Sequence, residues 1–125
     1  TKHSMHWEDY SVTKKTLNSI TKAKDDGRKI VAVGTTSCRV LETLGMDQSN
    51  GAIDFPLKGS TNIFMYPGYN FCMTDILMTN FHLPHSTLLM LVYAFGGIDL
   101  MREAYREAVK QKYRFYSYGD AMIII

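Results

Sequence analysis

The apolar run LLMLVYAF, residues 88–95, constrains the fold more than any other stretch of the chain. It has no polar face, so a helix built from it must be buried on every side instead of lying on a surface. At eight residues it is far shorter than the roughly 20 that cross a bilayer, so its apolar surroundings must come from the protein. The 125 residues, 46% of them hydrophobic, can form one packed core, and we expect a single domain over 1–125.

Apolar residues recur at helical spacing in three further segments. The spacing predicts a helix that Gly27 closes, a second that ends before Gly45, and a last one that Asp99 caps. The three segments read VTKKTLNSITKAK, SCRVLETL and LMREAYREAVKQKY.

Short apolar or alternating runs between these helices predict strands, at HSMHWE, KIVAV, NIFMY, ILMTN and AMIII. Residues 46–60 carry Asn-Gly, Pro and Gly, which favour a loop. Strands that alternate with helices, most of them continuously apolar, indicate an α/β fold with three layers, a largely parallel sheet and helices on both faces.

Charge and cysteines narrow the function classes. Residues 1–30 carry seven basic and four acidic side chains, residues 31–100 two and five, and residues 101–125 five and three. Such modest basic ends do not establish nucleic-acid binding on charge alone. Cys38 and Cys72 lie far apart without a second CxxC half, so no disulfide scaffold or zinc ribbon is expected. A signal core is not apparent either, and we expect a soluble, cytoplasmic protein.

The first candidate binding element is GTTSCR, which follows the KIVAV strand. In an open parallel sheet, ligands bind beyond the carboxyl ends of strands, where loops lead into helices. There Gly34 lets the backbone approach a ligand, and the helix start offers free amides and a partial positive charge to an anion. The side chains that would contribute are Thr35, Thr36, Ser37 and Arg39. A plain helix cap at Thr36 or Ser37 explains the same pattern.

The second candidate element is TNFHLPHSTLL, residues 79–89, a polar turn between two apolar runs. If residues 76–79 form a parallel strand and a helix starts at Thr87, then Asn80, His82, His85 and Ser86 gather at the same sheet edge as GTTS. An unperturbed imidazole titrates near pH 6.5, so His82 is a candidate general acid or base. Alternatively, Ser86 only caps the helix and the histidines are ordinary loop residues.

Three other polar or aromatic stretches permit two interpretations each. In YPGYNF, the rings of Tyr66, Tyr69 and Phe71 either line a flat base or a cation, or belong to a tight turn in the core. Strand geometry puts His6 and Glu8 on one face, which fits a titrating pair better than a metal site. The stretch YSYGD, residues 116–120, either is a structural turn at the opposite edge or precedes an antiparallel last strand.

The chain resembles the S-adenosylmethionine:tRNA ribosyltransferase-isomerase family of queuosine biosynthesis over nearly its whole length. The stretches that carry the resemblance are HSMHWE, VAVGTTSCRVLE, residues 61–97 with TNFHLPHSTLLMLV, and AYREAVKQKYRFYSYGDAM. Enzymes of this family transfer the ribosyl part of S-adenosylmethionine to 7-aminomethyl-7-deazaguanine at the tRNA wobble position and isomerise it to an epoxy-cyclopentanediol. Adenine and methionine are released, and S-adenosylmethionine is consumed as a substrate.

The resemblance implies roles for the candidate residues. We expect His82, with Asn80, as the general acid/base and His6 with Glu8 as a second titrating pair. The GTTS loop and Arg39 would hold the methionine carboxylate or the ribose, with Ser86 nearby. The three aromatic residues would line the base or the sulfonium. No metal is expected, and the implied partners are tRNA and S-adenosylmethionine, bound by a monomer away from membranes.

Family members are far longer and contain an inserted β-barrel domain. The resemblance therefore implies that this chain is a C-terminal portion with little or no turnover of its own. Two other functions stay open: a non-catalytic tRNA- or nucleoside-binding module, and an ordinary methyltransferase. The methyltransferase would share the cofactor, but the chain lacks a glycine-rich first loop.

Overall fold

A computed structural model describes residues 7–47, 57–83, 86–116 and 119–125. Five strands and four helices lie along these residues. In chain order they are β1 (Glu8–Val12), α1 (Lys14–Asp25), β2 (Val31–Val33), α2 (Thr35–Asp47), β3 (Leu57–Thr61), β4 (Ile76–Asn80), α3 (Thr87–Gly96), α4 (Ile98–Lys110) and β5 (Ala121–Ile124). The predicted α/β class is confirmed, and within these ranges no helix combines the length and apolar content that a bilayer crossing needs.

The described strands form two small sheets. β1 and β3 pair antiparallel, with Glu8 opposite Thr61 and Val12 opposite Leu57. The second sheet has the order β2-β4-β5, in which β2 runs parallel to β4 and β5 runs antiparallel to it. The largely parallel, three-layer arrangement expected from the sequence is therefore not confirmed, because one strand pair of the three is parallel.

Two consecutive helices explain the direction of β5. One helix between two strands returns the chain to the starting edge of the sheet, which makes the strands parallel. Between β4 and β5 the chain instead forms α3 and α4, which pack on each other and meet at Gly97 (φ 88°). After α4 the chain is back where β4 ended, since the Tyr116 N–H donates to the Phe81 carbonyl oxygen at 3.2 Å. The last strand must therefore run antiparallel.

Local capping sets most of the predicted helix ends. The Thr13 hydroxyl accepts a hydrogen bond from the Thr16 N–H and starts α1, and Gly27 follows its end in the left-handed conformation (φ 75°). Two expected boundaries are wrong. Gly45 lies inside α2, where its missing Cβ leaves room for Met73 and Cys72. Gly97, not Asp99, occupies the N-cap of α4, and Asp99 sits in the first turn.

The β1–β3 sheet was only partly predictable. HSMHWE was expected to be a strand, but its first four residues lie outside the described ranges and the strand begins at Glu8. Four of the five residues of β3 fall within the predicted loop, and NIFMY forms no strand. The β3 sequence LKGST is mostly polar, so its strand signal is weak. Pairing with β1 stabilises it as a strand instead. Gly59 lies under the Tyr10 ring, where a Cβ would approach the phenol oxygen to 2.7 Å.

Helix α3 lies in the core, as its composition requires. Each of its ten residues is buried or half-buried, with Leu91 and Val92 almost fully enclosed. One face of the three-stranded sheet contributes to the same core through Ala32, Leu77 and Ile124. The polar turn before α3 therefore lies between a buried strand and a buried helix, at the edge of the core.

Candidate functional site

A cavity of about 470 Å³ opens at the edge where β2 and β4 end. Its volume is within the range of small-molecule sites. The lining comes from the β2–α2 junction, the turn between β4 and α3, and the segment before β5. These residues are Gly34, Thr35, Thr36, Thr79, Asn80, Phe81, His82, Leu83, Ser86, Leu88 and Tyr116. The two polar junctions predicted to share a sheet edge do so, and His85 of the second junction lies outside the described residues.

The parallel pairing of β2 and β4 aligns these junctions. The Gly34 N–H donates to the Met78 carbonyl oxygen at 2.7 Å, and its φ of 95° turns the chain directly into α2. Any other residue would be strained in this conformation. The turn places Thr35 and Thr36 in the cavity wall, whereas Ser37 is exposed and is not among the lining residues. The positive end of the α2 dipole thus borders the cavity.

His82 is held by two contacts at the cavity wall. Its Nε2 lies 2.9 Å from the Thr79 hydroxyl oxygen, and its backbone N–H donates to the Tyr105 hydroxyl at 3.0 Å. Thr79 is buried and its hydroxyl also donates to the Asn80 carbonyl oxygen at 3.3 Å. Burial lowers the pKa of His82 below its usual 6.5, so the ring is neutral at neutral pH.

Asn80 and Ser86 have structural contacts beside the cavity. The Asn80 amide donates to the Asp120 carbonyl oxygen at 3.3 Å and so ties β4 to the start of β5. The Ser86 hydroxyl accepts from the Leu89 N–H at 3.1 Å and donates to the Leu83 carbonyl oxygen at 2.8 Å. Ser86 is therefore the N-cap of α3, and it also lines the cavity.

Tyr116 reaches the cavity because β5 is antiparallel. Of the two interpretations of YSYGD, the structure supports the one in which the last strand runs antiparallel, so Tyr116 lies at the site edge. Tyr116 has a φ of 75°, an uncommon conformation for a residue with a side chain, and it is 64% exposed. No direct signal in the sequence distinguished it from the other tyrosines.

Arg39 and Glu8 come together away from the cavity lining. The Arg39 guanidinium is buried and lies 3.5 Å from a Glu8 carboxylate oxygen. It also donates to the carbonyl oxygens of Thr61 at 3.4 Å and Ile63 at 3.3 Å. Burial lowers the pKa of Arg39, and the nearby Glu8 charge opposes that shift. His6, the expected partner of Glu8, lies outside the described residues. The ligand roles of these residues stay predictions.

The YPGYNF aromatics also lie outside the cavity lining. Tyr66 and Tyr69 close a tight turn through a 3.0 Å backbone hydrogen bond. Tyr69 packs edge-on against Phe71, which packs on Phe95 of α3. Tyr66 is 58% exposed. This arrangement favours the interpretation as a turn with two aromatic residues in the core.

Glu42 is a buried carboxylate that sequence reasoning missed. It is fully enclosed and accepts hydrogen bonds from the backbone N–H groups of Cys72, Met73 and Thr74 at 2.8–2.9 Å and from the Tyr69 hydroxyl at 3.2 Å. Burial, then the Glu42 charge, raises the pKa of Tyr69 well above its usual value. A lone acidic residue in an amphipathic helix gave no sign of this role. Among the described residues, no three His, Cys, Asp or Glu side chains are grouped to hold a metal ion.

Comparison with known proteins gives consistent matches over this chain. The sequence model of a family described as "Queuosine biosynthesis protein" matches residues 1–124. A relative from Nitratidesulfovibrio vulgaris strain DP4, named S-adenosylmethionine:tRNA ribosyltransferase-isomerase, is 56% identical over 98% of this chain and 32% of its own. A relative of the same name from Acetivibrio thermocellus is 54% identical over 98% of this chain and 35% of its own.

The fold has a solved counterpart. The crystal structure of S-adenosylmethionine tRNA ribosyltransferase from Thermotoga maritima is 50% identical to the chain and superposes with a TM-score of 0.85. The match covers 94% of this chain and 40% of that protein. The chain thus spans about one third of the length of the curated relatives it matches.

Proposed function

Because the chain belongs to the queuosine biosynthesis protein family, we propose that it is the C-terminal part of an S-adenosylmethionine:tRNA ribosyltransferase-isomerase. In the proposed reaction, the ribosyl moiety of S-adenosylmethionine moves to the aminomethyl nitrogen of 7-aminomethyl-7-deazaguanine at the tRNA wobble position. Its isomerisation gives the epoxy-cyclopentanediol of epoxyqueuosine, with release of adenine and methionine. The protein would work as a cytoplasmic monomer, with tRNA and S-adenosylmethionine as partners and without a metal.

The cavity at the shared edge of β2 and β4 is the observation that carries this proposal. It combines a helix N-terminus, which suits a carboxylate, with a buried imidazole, which suits proton transfer. We assign the methionine carboxylate of S-adenosylmethionine to the start of α2, where Thr35 and Thr36 supply hydroxyls. Asn80 and Ser86 would complete the polar wall while keeping their structural hydrogen bonds.

His82 is the proposed general acid/base. The Thr79 hydroxyl has one proton, and it donates that proton to the Asn80 carbonyl oxygen. In the tautomer that is compatible with this bond, Nε2 of His82 donates to the Thr79 oxygen at 2.9 Å and Nδ1 carries the lone pair. In this tautomer the neutral imidazole can accept a proton on Nδ1, namely the proton on the carbon beside the sulfonium of S-adenosylmethionine. The imidazolium formed can then protonate the departing adenine.

The other predicted site residues have contacts that support structural roles. The Arg39–Glu8 pair holds α2 to β1, and Arg39 also binds carbonyl groups at and beyond the end of β3. Tyr69 and Phe71 pack between Glu42 and α3. We therefore leave these residues, with Tyr66 and Ser37, out of the proposed ligand contacts.

The test uses a chimera in which this chain replaces the matching third of the Nitratidesulfovibrio vulgaris relative, called the long-form chimera below. His82→Gln should reduce adenine release with modified tRNA about 10²- to 10⁴-fold, the range for loss of a general acid/base. Its S-adenosylmethionine affinity should stay close to that of the parent. An unchanged rate of adenine release would remove His82 from the mechanism.

Thr36→Ala tests the carboxylate site, with Ser37→Ala as the matched control on the same helical turn. Loss of a hydrogen bond to a charged group should weaken S-adenosylmethionine binding about 10- to 100-fold, measured by calorimetry. Ser37→Ala should leave it unchanged. Equal affinities of the two variants would contradict the assignment.

The 125-residue chain alone should release little or no adenine. If the chimera binds tRNA and does not bind S-adenosylmethionine, a non-catalytic module is favoured instead.

A further inference from the structure

The β2-β4-β5 sheet has two apolar faces, and helices α2, α3 and α4 pack on one of them. Residues paired across a sheet point to the same side. On the covered face, Ala32, Leu77 and Ile124 lie in one row and are 1%, 0% and 7% exposed. These three residues belong to the core cluster that also contains residues of α2, α3 and α4.

The opposite face carries an equally apolar row that is open. Val33, Met78 and Ile123 pair across the three strands, and Val33 and Ile123 are 63% and 57% exposed. Val31, paired with Ile76 in the next row, is 49% exposed. We call these five residues the open face. A sheet face that meets solvent normally carries polar side chains, so this composition is typical of a sheet buried on both sides.

We propose that the open face is the docking surface for the remainder of the longer polypeptide, which covers it with an apolar layer. The relatives are about three times as long as this chain, so about two thirds of such a protein lies outside it. An α/β sheet needs a layer on each face, and within the described residues that second layer is missing. A second copy is a poorer occupant, because a face built on strands of three, five and four residues offers less area than the roughly 800 Å² per partner of a stable dimer.

The same layer would complete the cavity. Asn80 is two residues after Met78 on β4, so its side chain lies on the same side of the sheet as the open face. Asn80 also lines the cavity. A layer packed on Met78 would therefore extend to the cavity mouth and supply part of its wall. This inference rests on family membership and on the sheet, and it does not depend on the proposed reaction.

Cysteine labelling tests the proposal. Ile123→Cys is placed in the 125-residue chain and in the long-form chimera, both with Cys72→Ser to remove the exposed native thiol. Val109→Cys is the matched control, because Val109 is 66% exposed on α4 and lies outside the open face. The native Cys38 is fully buried and reports folding, since it stays unlabelled only in a folded protein.

A maleimide should label Ile123→Cys and Val109→Cys at similar rates in the chain. In the chimera, Ile123→Cys should react at least about 100-fold more slowly, because a packed side chain reacts only after local opening. Equal rates for both positions in a chimera that protects Cys38 would overturn the proposal. Protection of Ile123→Cys from labelling in the chain alone would also overturn the proposal. If this protection rises with protein concentration, a second copy covers the face. If it does not, the chain covers the face itself. If the chimera fails to protect Cys38, the same labelling is done after the chain is mixed with the separately purified remainder of the relative, and unchanged labelling there also overturns it.

Discussion

Replacement of Glu42 should be the most destabilising single substitution of a polar residue in the described part of this chain. Its carboxylate is fully enclosed, and each of its oxygens accepts two hydrogen bonds. One oxygen accepts from the backbone of Met73 and Thr74, which are themselves buried. The other accepts from the Cys72 N–H and the Tyr69 hydroxyl. The side chain thus fixes the segment that leads into β4.

The expected loss of unfolding free energy depends on which of the four donors water can reach once the Glu42 carboxylate is gone. Cys72 is exposed and Tyr69 is half-buried, so their groups can be solvated when the acceptor is lost. The amides of Met73 and Thr74 cannot, and a buried unsatisfied amide costs about 1–3 kcal/mol. Glu42→Ala should therefore cost about 4 kcal/mol, a large share of the roughly 5–15 kcal/mol that stabilise a domain. Glu42→Gln keeps one acceptor oxygen and should cost about 2 kcal/mol.

Urea unfolding followed by circular dichroism measures both variants, and Glu42→Gln provides a value even if Glu42→Ala does not fold. Glu103→Gln is the matched control, because Glu103 has a 67% exposed side chain in a surface ion pair with Arg106. Its cost should stay within about 0.5 kcal/mol. If Glu42→Gln were as stable as Glu103→Gln, the four hydrogen bonds would not be what stabilises this segment.

Two further predictions concern the cavity edge. Gly119→Ala should cost about 1–3 kcal/mol in urea unfolding, because its Cβ would clash with the carbonyl oxygens of Arg114 and Phe115, which belong to the backbone; a variant as stable as the parent would contradict this packing. Burial lowers the pKa of folded His82 below the 6.5 or so of the unfolded chain, so its stabilising contribution is complete above about pH 6.5 and is lost as pH falls through the folded pKa. In unfolding measured between about pH 7.5 and 5, His82→Gln should therefore lose less stability than the parent, and parallel curves would refute the burial argument.

The sequence was sufficient to predict most of the helices and strands, and to predict that the β2–α2 and β4–α3 junctions share one sheet edge. Periodicity reflects which side chains are buried, and burial is what distinguishes α3 and β4 from their surroundings. Because the end of a β-strand and the start of the following helix are fixed locally, Gly34 and His82 could be placed near each other from the KIVAV and ILMTN runs. Strand β3 was missed because its mostly polar sequence shows no apolar periodicity.

Tertiary structure decided the direction of β5 and the partners of the charged residues. Two adjacent helices brought the chain back to the end of β4, and that reversal put Tyr116 in the cavity wall. Arg39 was predicted to hold a ligand because it follows GTTS, and that role stays a prediction; the structure adds that Arg39 contacts Glu8 and the carbonyl groups around β3. Residue spacing predicts neither the β4–β5 pairing nor the Arg39–Glu8 contact, because both join elements that are distant in sequence. The sequence by itself determined what must be buried and where polar groups interrupt it; only the packing of the elements decided which groups meet.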